Sequence, residues 1–358
     1  MSVTPILNRR LHSKVGIGPH SSEVRCFFLA LLAEFYIIKM DRGPALTKDL
    51  ELESTLPVLF ISSTMSIEKE LKGIKKDILL APYTTFKIGG PAKYFFVASS
   101  KQQVIKAIQQ ARHYNLPFFV FGEGSNLLVS DRGFDGLVIR IQNSKIKKKD
   151  SEIIADAGAR LNQLLAVAKN SELSGIEWAA GIPGTVGGAI RGNSGAFGKS
   201  ISDIIKRVEV LNVDSGDIKN YTEKECLFGY RDSIFKENKN LIILSGEFFF
   251  QKANKQAIQE KIKRYLTYRR EKQPIGFFSA GSVFKNPEGF SAGRLIEKCG
   301  LKGEVRGGAK ISEKHANFII NLGKAKSEDV LYLIKLAKKE VKENFNIELE
   351  EEIEFLGF

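Results

Sequence analysis

A short apolar run at 117–121 leads directly into Gly122-Glu123-Gly124-Ser125-Asn126, after which the chain returns to an apolar run, Leu127-Leu128-Val129. Glycines free the backbone to turn successive N–H groups onto one anion, so a Gly-rich loop after a strand reads as a phosphate cradle. In doubly wound dinucleotide folds a helix follows that loop, and its N-terminus receives the pyrophosphate. Here a strand follows, which argues against that fold; a tight hairpin between the two runs stays open as the simpler reading. A second segment, Gly181-Ile182-Pro183-Gly184-Thr185-Val186-Gly187-Gly188-Ala189, holds four glycines around Thr185, more than a plain hairpin uses. Close approach of backbone to a flat or charged ligand accounts for it better. Asn193-Ser194-Gly195-Ala196-Phe197-Gly198 continues the same wall. The glycines alone imply an anionic ligand without saying which.

Around these loops the hydrophobic periodicity is that of an α+β chain. Residues 93–98 alternate as a strand, Ser100 caps a helix with Val104, Ala107, Ile108 and Ala111 on one face, and 117–121 is a second strand. Short strands follow at 137–141 and 153–157, with a helix over 161–169. Strands at 208–213 and 241–250 belong to a second α+β unit closed by a basic helix over 255–271. A third unit holds helices over 292–299 and after Ser327, and 345–355 reads as a strand returning to the first unit. A chain of 358 residues accommodates two or three such units.

Charge and cysteine content narrow the function classes. A net charge of +13 suits nucleic acid, a membrane surface or an anionic small ligand. The basic residues are scattered, and the densest run, 145–149, lacks the interleaved aromatics of a single-strand platform, so no nucleic-acid partner is expected. Cys26, Cys226 and Cys299 have no paired spacing, which excludes a disulfide framework or a zinc site and leaves no metal expected. The apolar stretch 26–38 is too short to span a bilayer and is broken by Glu34, so no membrane attachment is expected.

Three further segments carry chemistry. Tyr230-Arg231-Asp232-Ser233 sets a guanidinium beside an aromatic ring and a carboxylate; a simple Arg231–Asp232 ion pair is the plain alternative. Ser279-Ala280-Gly281-Ser282-Val283-Phe284-Lys285-Asn286-Pro287 places a hydroxyl, an ammonium and a carboxamide in one Gly- and Pro-bounded turn. Leu349-Glu350-Glu351-Glu352-Ile353 is, without context, a solvated acidic run. Nothing in the sequence ties His315 to Ser282, so a hydrolytic triad is not favoured.

In this order, together with Thr84-Thr85-Phe86-Lys87-Ile88-Gly89-Gly90-Pro91-Ala92, these segments resemble the UDP-N-acetylenolpyruvoylglucosamine reductase family from about residue 81 to 357. The resemblance implies a vanillyl-alcohol-oxidase/PCMH-type FAD-binding fold of two α+β subdomains plus a C-terminal α+β substrate domain. It also implies non-covalent FAD, NADPH as co-substrate, and reduction of UDP-N-acetylglucosamine enolpyruvate during peptidoglycan precursor synthesis in the cytoplasm, by a monomer. By position, Arg231, Ser282 as proton donor and Glu352 are catalytic. Strand alternation puts Glu350 and Glu352 on one face and Glu351 on the other. Gly122, Gly124, Ser125, Asn126, Gly181, Ile182, Gly184, Thr185, Gly188, Ala189, Asn193 and Gly195 face the cofactor, and Tyr230, Lys272, Asn286 and Asn317 face the nucleotide sugar.

The segment between Arg231 and Ser282 has no room for the tyrosine-bearing substrate loop of one branch, so the chain resembles the shorter second type. Phe278 stands at the usual proline before the turn, and Glu351 where relatives often carry proline. The expected divisions are an N-terminal extension at 1–64, apart from catalysis because the family's usual start falls at Met65; FAD subdomains at 65–144, with the return strand 345–358, and at 145–271; and a substrate domain at 272–344. Two rivals remain, a flavin oxidase of the same fold and a catalytically inert FAD-binding scaffold. The Ser282 turn argues against the first, and the joint presence of Arg231, Ser282 and Glu352 against the second.

Overall fold

The computed structural model describes residues 66–358; what the sequence suggests for 1–64 lies outside the described residues. Strands β1 (Lys75–Leu79), β2 (Pro91–Ala98), β3 (Phe118–Phe121), β4 (Leu127–Val129) and β5 (Phe134–Ile141) accompany helix α1 (Lys101–His113). Four of them form a sheet in the order β1-β2-β5-β3, with β5 parallel to both β2 and β3. α1 carries the chain from β2 across to β3, on the far side of β5, so that all three strands run parallel. Ser100 caps α1 by accepting from the Gln103 N–H, and Val104, Ala107, Ile108 and Ala111 are its buried face, as the periodicity requires.

The second sheet is antiparallel, in the order β9-β8-β10-β7-β6, where β6 is Ile146–Lys149, β7 Glu152–Asp156, β8 Ile205–Asn212, β9 Ile218–Thr222 and β10 Leu241–Phe249. Helices α2 (Leu161–Asn170), α3 (Val186–Arg191) and α4 (Lys255–Lys272) accompany it. One apolar cluster runs through both sheets, from Leu137 and Ile139 to Ala155, Val208 and Phe248, so the two lobes share a core. Cys226 lies in that core, and burial pushes its thiol up to about 12. C-terminal to these, α5 (Ala292–Lys298), a sheet of β11 (Val305–Arg306), β12 (Ala309–Ile311) and β13 (Ile319–Asn321), α6 (Ser327–Phe345) and β14 (Glu354–Leu356) complete the chain. Their core joins Val283, Phe284, Ile296 and Leu333 to Phe86, Ile88 and Leu128 of the first lobe.

Three features depart from the sequence reading. The run 122–126 is not a hairpin, because β3 pairs with β5 while β4 pairs in parallel with β14. The segment 181–189 contains the start of a helix, α3, whose N-cap Thr185 accepts from the Gly188 N–H. The expected strand at 345–355 shrinks to Glu354–Leu356, the stretch that pairs with β4, while α6 runs to Phe345 and Asn346 ends it at φ 55°.

Candidate active site

The two Gly-rich loops are built against each other. Gly122 backs onto Thr185 so closely that a Cβ there would lie 2.3 Å from the Thr185 hydroxyl. The Glu123 carboxylate accepts from the Gly184 N–H at 2.9 Å and pairs with Arg160 at 2.6 Å. Gly184, at φ 136°, brings its backbone beside Ser125, whose hydroxyl would sit 3.0 Å from any added Cβ. Among the described residues, the amide N–H groups of Glu123, Gly124, Ser125 and Asn126 donate no hydrogen bond. Successive N–H groups without an acceptor form an anion cradle, so this stretch fits a diphosphate. Arg269 props the second loop from below, donating to the carbonyls of Ala180 at 2.9 Å and Trp178 at 3.1 Å, with Gly181 resting on its side chain. Ile182 packs against the shared core. Ala189, expected on the ligand wall, instead turns into the core at 3 % exposure, its N–H spent on Thr185.

Asn126 links this cradle to the C-terminal acidic run. Its Nδ2 donates to the Glu352 carbonyl and its own carbonyl accepts from the Glu354 N–H, both at 2.9 Å. The Glu352 N–H donates in turn to the Val283 carbonyl at 2.7 Å, which sets Glu352 against the residue after Ser282. The Ser282 hydroxyl makes no hydrogen bond among the described residues, and a Cβ at Gly281 beside it would meet open space. Arg231 completes the group: its Nε lies 2.8 Å from Glu352 Oε1, and its Nη2 donates to the Gly195 carbonyl at 2.8 Å. The Nε–H is not aimed at that carboxylate and finds no acceptor among the described residues. The structure thus brings Arg231, Ser282 and Glu352 together, and Arg231 pairs with Glu352 and not with Asp232.

The supporting residues divide sharply. Asn193 is 7 % exposed, and its amide is spent on the Gly229 carbonyl and the Ser202 N–H, so it braces the Tyr230-Arg231 turn from beneath. Asn317, expected to face the sugar nucleotide, is 4 % exposed and closes a two-bond ring on the Phe284 backbone, at 2.9 and 2.8 Å. It shapes the Ser282 turn and has no surface left for a ligand. Tyr230 is exposed, its hydroxyl accepting from the Asn286 N–H at 3.4 Å and its ring lying under the Arg231 guanidinium. The Asn286 side chain accepts from the Ala292 N–H at the start of α5. Lys272 ends α4, exposed, and makes no hydrogen bond or ion pair among the described residues. A surface concavity of about 390 Å³ beside α4, lined by Lys169, Lys263 and Arg270 among others, shares no residue with the Arg231 group.

Charge around Glu352 is strongly positive. Burial raises its pKa, while Arg231, Lys236 and Lys285 pull it down; burial prevails and the carboxyl holds its proton above the usual carboxylate range. Lys236, missed by motif reading, donates to the Arg231 carbonyl at 3.1 Å, and burial lowers its pKa, with Lys285 adding to the effect. Arg191 and Glu123 were missed in the same way, because their partners Glu354, Arg160 and Gly184 lie far along the chain and give no spacing signal. A cluster of cations with one carboxyl of raised pKa and one free hydroxyl can receive an anionic substrate, polarise its carboxylate and deliver a proton.

A two-lobed α+β fold with an N–H cradle between Gly-rich loops defines an FAD-binding protein, and an FAD binding domain profile matches residues 92–222. The profile of the C-terminal domain of UDP-N-acetylenolpyruvoylglucosamine reductase matches residues 273–356. The chain is 45 % identical over 276 residues to the UDP-N-acetylenolpyruvoylglucosamine reductase of Caldanaerobacter subterraneus subsp. tengcongensis, covering 77 % of this chain and 91 % of that one. It is 40 % identical over 301 residues to that of Clostridium novyi, covering 82 % and 97 %. The crystal structure of the reductase from Thermus caldophilus superposes with a TM-score of 0.68 at 35 % identity, over 79 % of this chain and 99 % of that one. The chain belongs to the UDP-N-acetylenolpyruvoylglucosamine reductase family.

Proposed function

We infer that the chain reduces UDP-N-acetylglucosamine enolpyruvate to UDP-N-acetylmuramate with electrons from NADPH. The observation that carries this reading is the convergence of Arg231, Ser282 and Glu352 beside an N–H cradle that fits FAD. Residues 122–126 would hold the diphosphate, with Gly181, Gly184, Thr185 and Gly188 as the facing wall. Bound FAD supplies the hydride relay between nicotinamide and enol ether, which no side chain can provide. Arg231 offers its unfilled Nε–H and fixed charge to the enolpyruvyl carboxylate, where negative charge grows as the adjacent carbon becomes carbanionic. Glu352, its pKa raised by burial, donates a hydrogen bond to the same group in its protonated form. Ser282, on its Gly281 turn, protonates that carbon; a hydroxyl suffices because the carbanion is strongly basic.

Tyr230, Lys272 and Asn286 are the residues we place nearest the nucleotide sugar, and 272–344 the substrate domain. We read 65–144, with the return segment 345–358, and 145–271 as the FAD subdomains, and the enzyme as a cytoplasmic monomer. No helix among the described residues is long and apolar enough to cross a membrane. Anaerobic addition of NADPH to the yellow protein should bleach the flavin, and the enolpyruvyl sugar nucleotide should then restore its colour. FMN in place of FAD, or bleaching without recovery, overturns the reading.

A further inference from the structure

Arg191 stands where three segments meet. It is the last residue of α3, the helix capped by Thr185 of the second Gly-rich loop. Its carbonyl accepts a 2.6 Å hydrogen bond from the Ser233 hydroxyl, two residues beyond Arg231. Its guanidinium pairs with Glu354, two residues beyond Glu352. Glu352 and Glu354 flank the buried Ile353, one pairing with Arg231 and the other with Arg191. Asn126 grips the backbone of both glutamates from the opposite edge. We propose that the Arg191–Glu354 ion pair is a positioning device for the catalytic carboxyl, locking the C-terminal segment to the Arg231 turn so that Glu352 and Arg231 meet one substrate carboxylate.

The energetics favour such a role over simple stabilisation. Both side chains are about three-tenths exposed, and burial works against the Arg191 charge, which the Glu354 and Asp232 carboxylates support. A pair that is partly desolvated adds little net stability, yet breaking it strands a charge. The charges that act on Glu352 in the intact pair are Arg231, Lys236 and Lys285, and a stranded charge two residues away would add to them. Without Arg191, the Glu354 carboxylate is a like charge nearby and disfavours Glu352 ionisation; without Glu354, the Arg191 cation favours it.

The proposal rests on the reductase reading, and the test separates the two. Stopped-flow absorbance on FAD-loaded wild type, Arg191→Gln, Glu354→Gln and the charge-swapped Arg191→Glu/Glu354→Arg enzyme reads bleaching by NADPH and recovery by the enolpyruvyl substrate separately. Both single variants should bleach normally and recover roughly 10- to 100-fold more slowly, the cost of misplacing a catalytic group. The alkaline limb of the recovery step should move up in pH for Arg191→Gln and down for Glu354→Gln, and the swapped enzyme should regain most of the rate. Glu354→Gln, nearly isosteric, carries the test if Arg191→Gln loses its FAD. Equal slowing of both steps, or unshifted pH limbs with no recovery in the swap, overturns the positioning role. Failure of the wild type to recover its colour overturns the reductase reading instead.

Discussion

A serine hydroxyl is a poor acid by itself, so its use as a proton donor depends on placement. Ser282 sits at a left-handed Gly281 with its hydroxyl unengaged, one residue from the carbonyl that receives the Glu352 N–H. In Ser282→Ala, NADPH should still bleach the FAD at close to the normal rate, while recovery by the enolpyruvyl substrate slows by at least ~10²-fold, as expected when a positioned general acid is lost. Equal slowing of both steps in stopped-flow absorbance would show Ser282 to be structural. Glu352 adds a pH signature. Its pKa is raised by burial, so the protonated donor is present below that value and is lost as pH rises through it. The recovery step should therefore fall on the alkaline side, at a pH above the ordinary carboxylate range. Glu352→Gln, which cannot ionise, should give a slower reaction without that limb, and a limb that persists would assign it to another group.

At the scale of elements, what was legible in the sequence was what repeats. The buried face of α1 and its Ser100 cap followed from spacing alone, because i, i+3, i+4 apolar positions and a capping hydroxyl are local signals. The helix α3 was not legible: Val186-Gly187-Gly188-Ala189-Ile190-Arg191 has poor helix propensity, and what holds it is packing of Val186, Ala189 and Ile190 together with the Thr185 cap. The return strand was overdrawn, because only Glu354–Leu356 finds a partner, in β4, and that pairing lies more than 220 positions away in sequence. The site shows the same split. Arg231, Ser282 and Glu352 were found through motif resemblance, and Asn126 as a cofactor residue only, whereas its hold on Glu352 across 226 positions, and the parts played by Lys236 and Arg191, leave no pattern. Asn317 belongs to this second kind, and its removal is a test at this scale. Asn317→Ala deletes two buried hydrogen bonds and strands both polar groups of Phe284, a loss of about 2–6 kcal/mol at about 1–3 kcal/mol per group. A denaturant midpoint unchanged from wild type would show that the turn holds itself.

The molecule as a whole is organised around the return of its C-terminus: β14 pairs with β4 beside the cofactor cradle, so residues from both ends of the described chain form one site. The N-terminal edge of that body can be placed from packing. Ile67 and Leu71, 3 % and 2 % exposed, enter the same apolar cluster as Val104, Ile108 and Leu137, so the folded core draws on residues from Ile67 onward. No motif of the active site precedes residue 81. A chain started at Met65 should thus keep its FAD and its turnover, whereas one started at Lys75 removes two buried apolar side chains, each worth about 1.5–3 kcal/mol, and should lose several degrees of thermal stability. Flavin content, steady-state rate and melting temperature of the two truncations against the full chain decide it. If the Met65 chain loses its flavin, the first 64 residues are part of the catalytic body; if the Lys75 chain melts like the full chain, Ile67 and Leu71 only decorate the core.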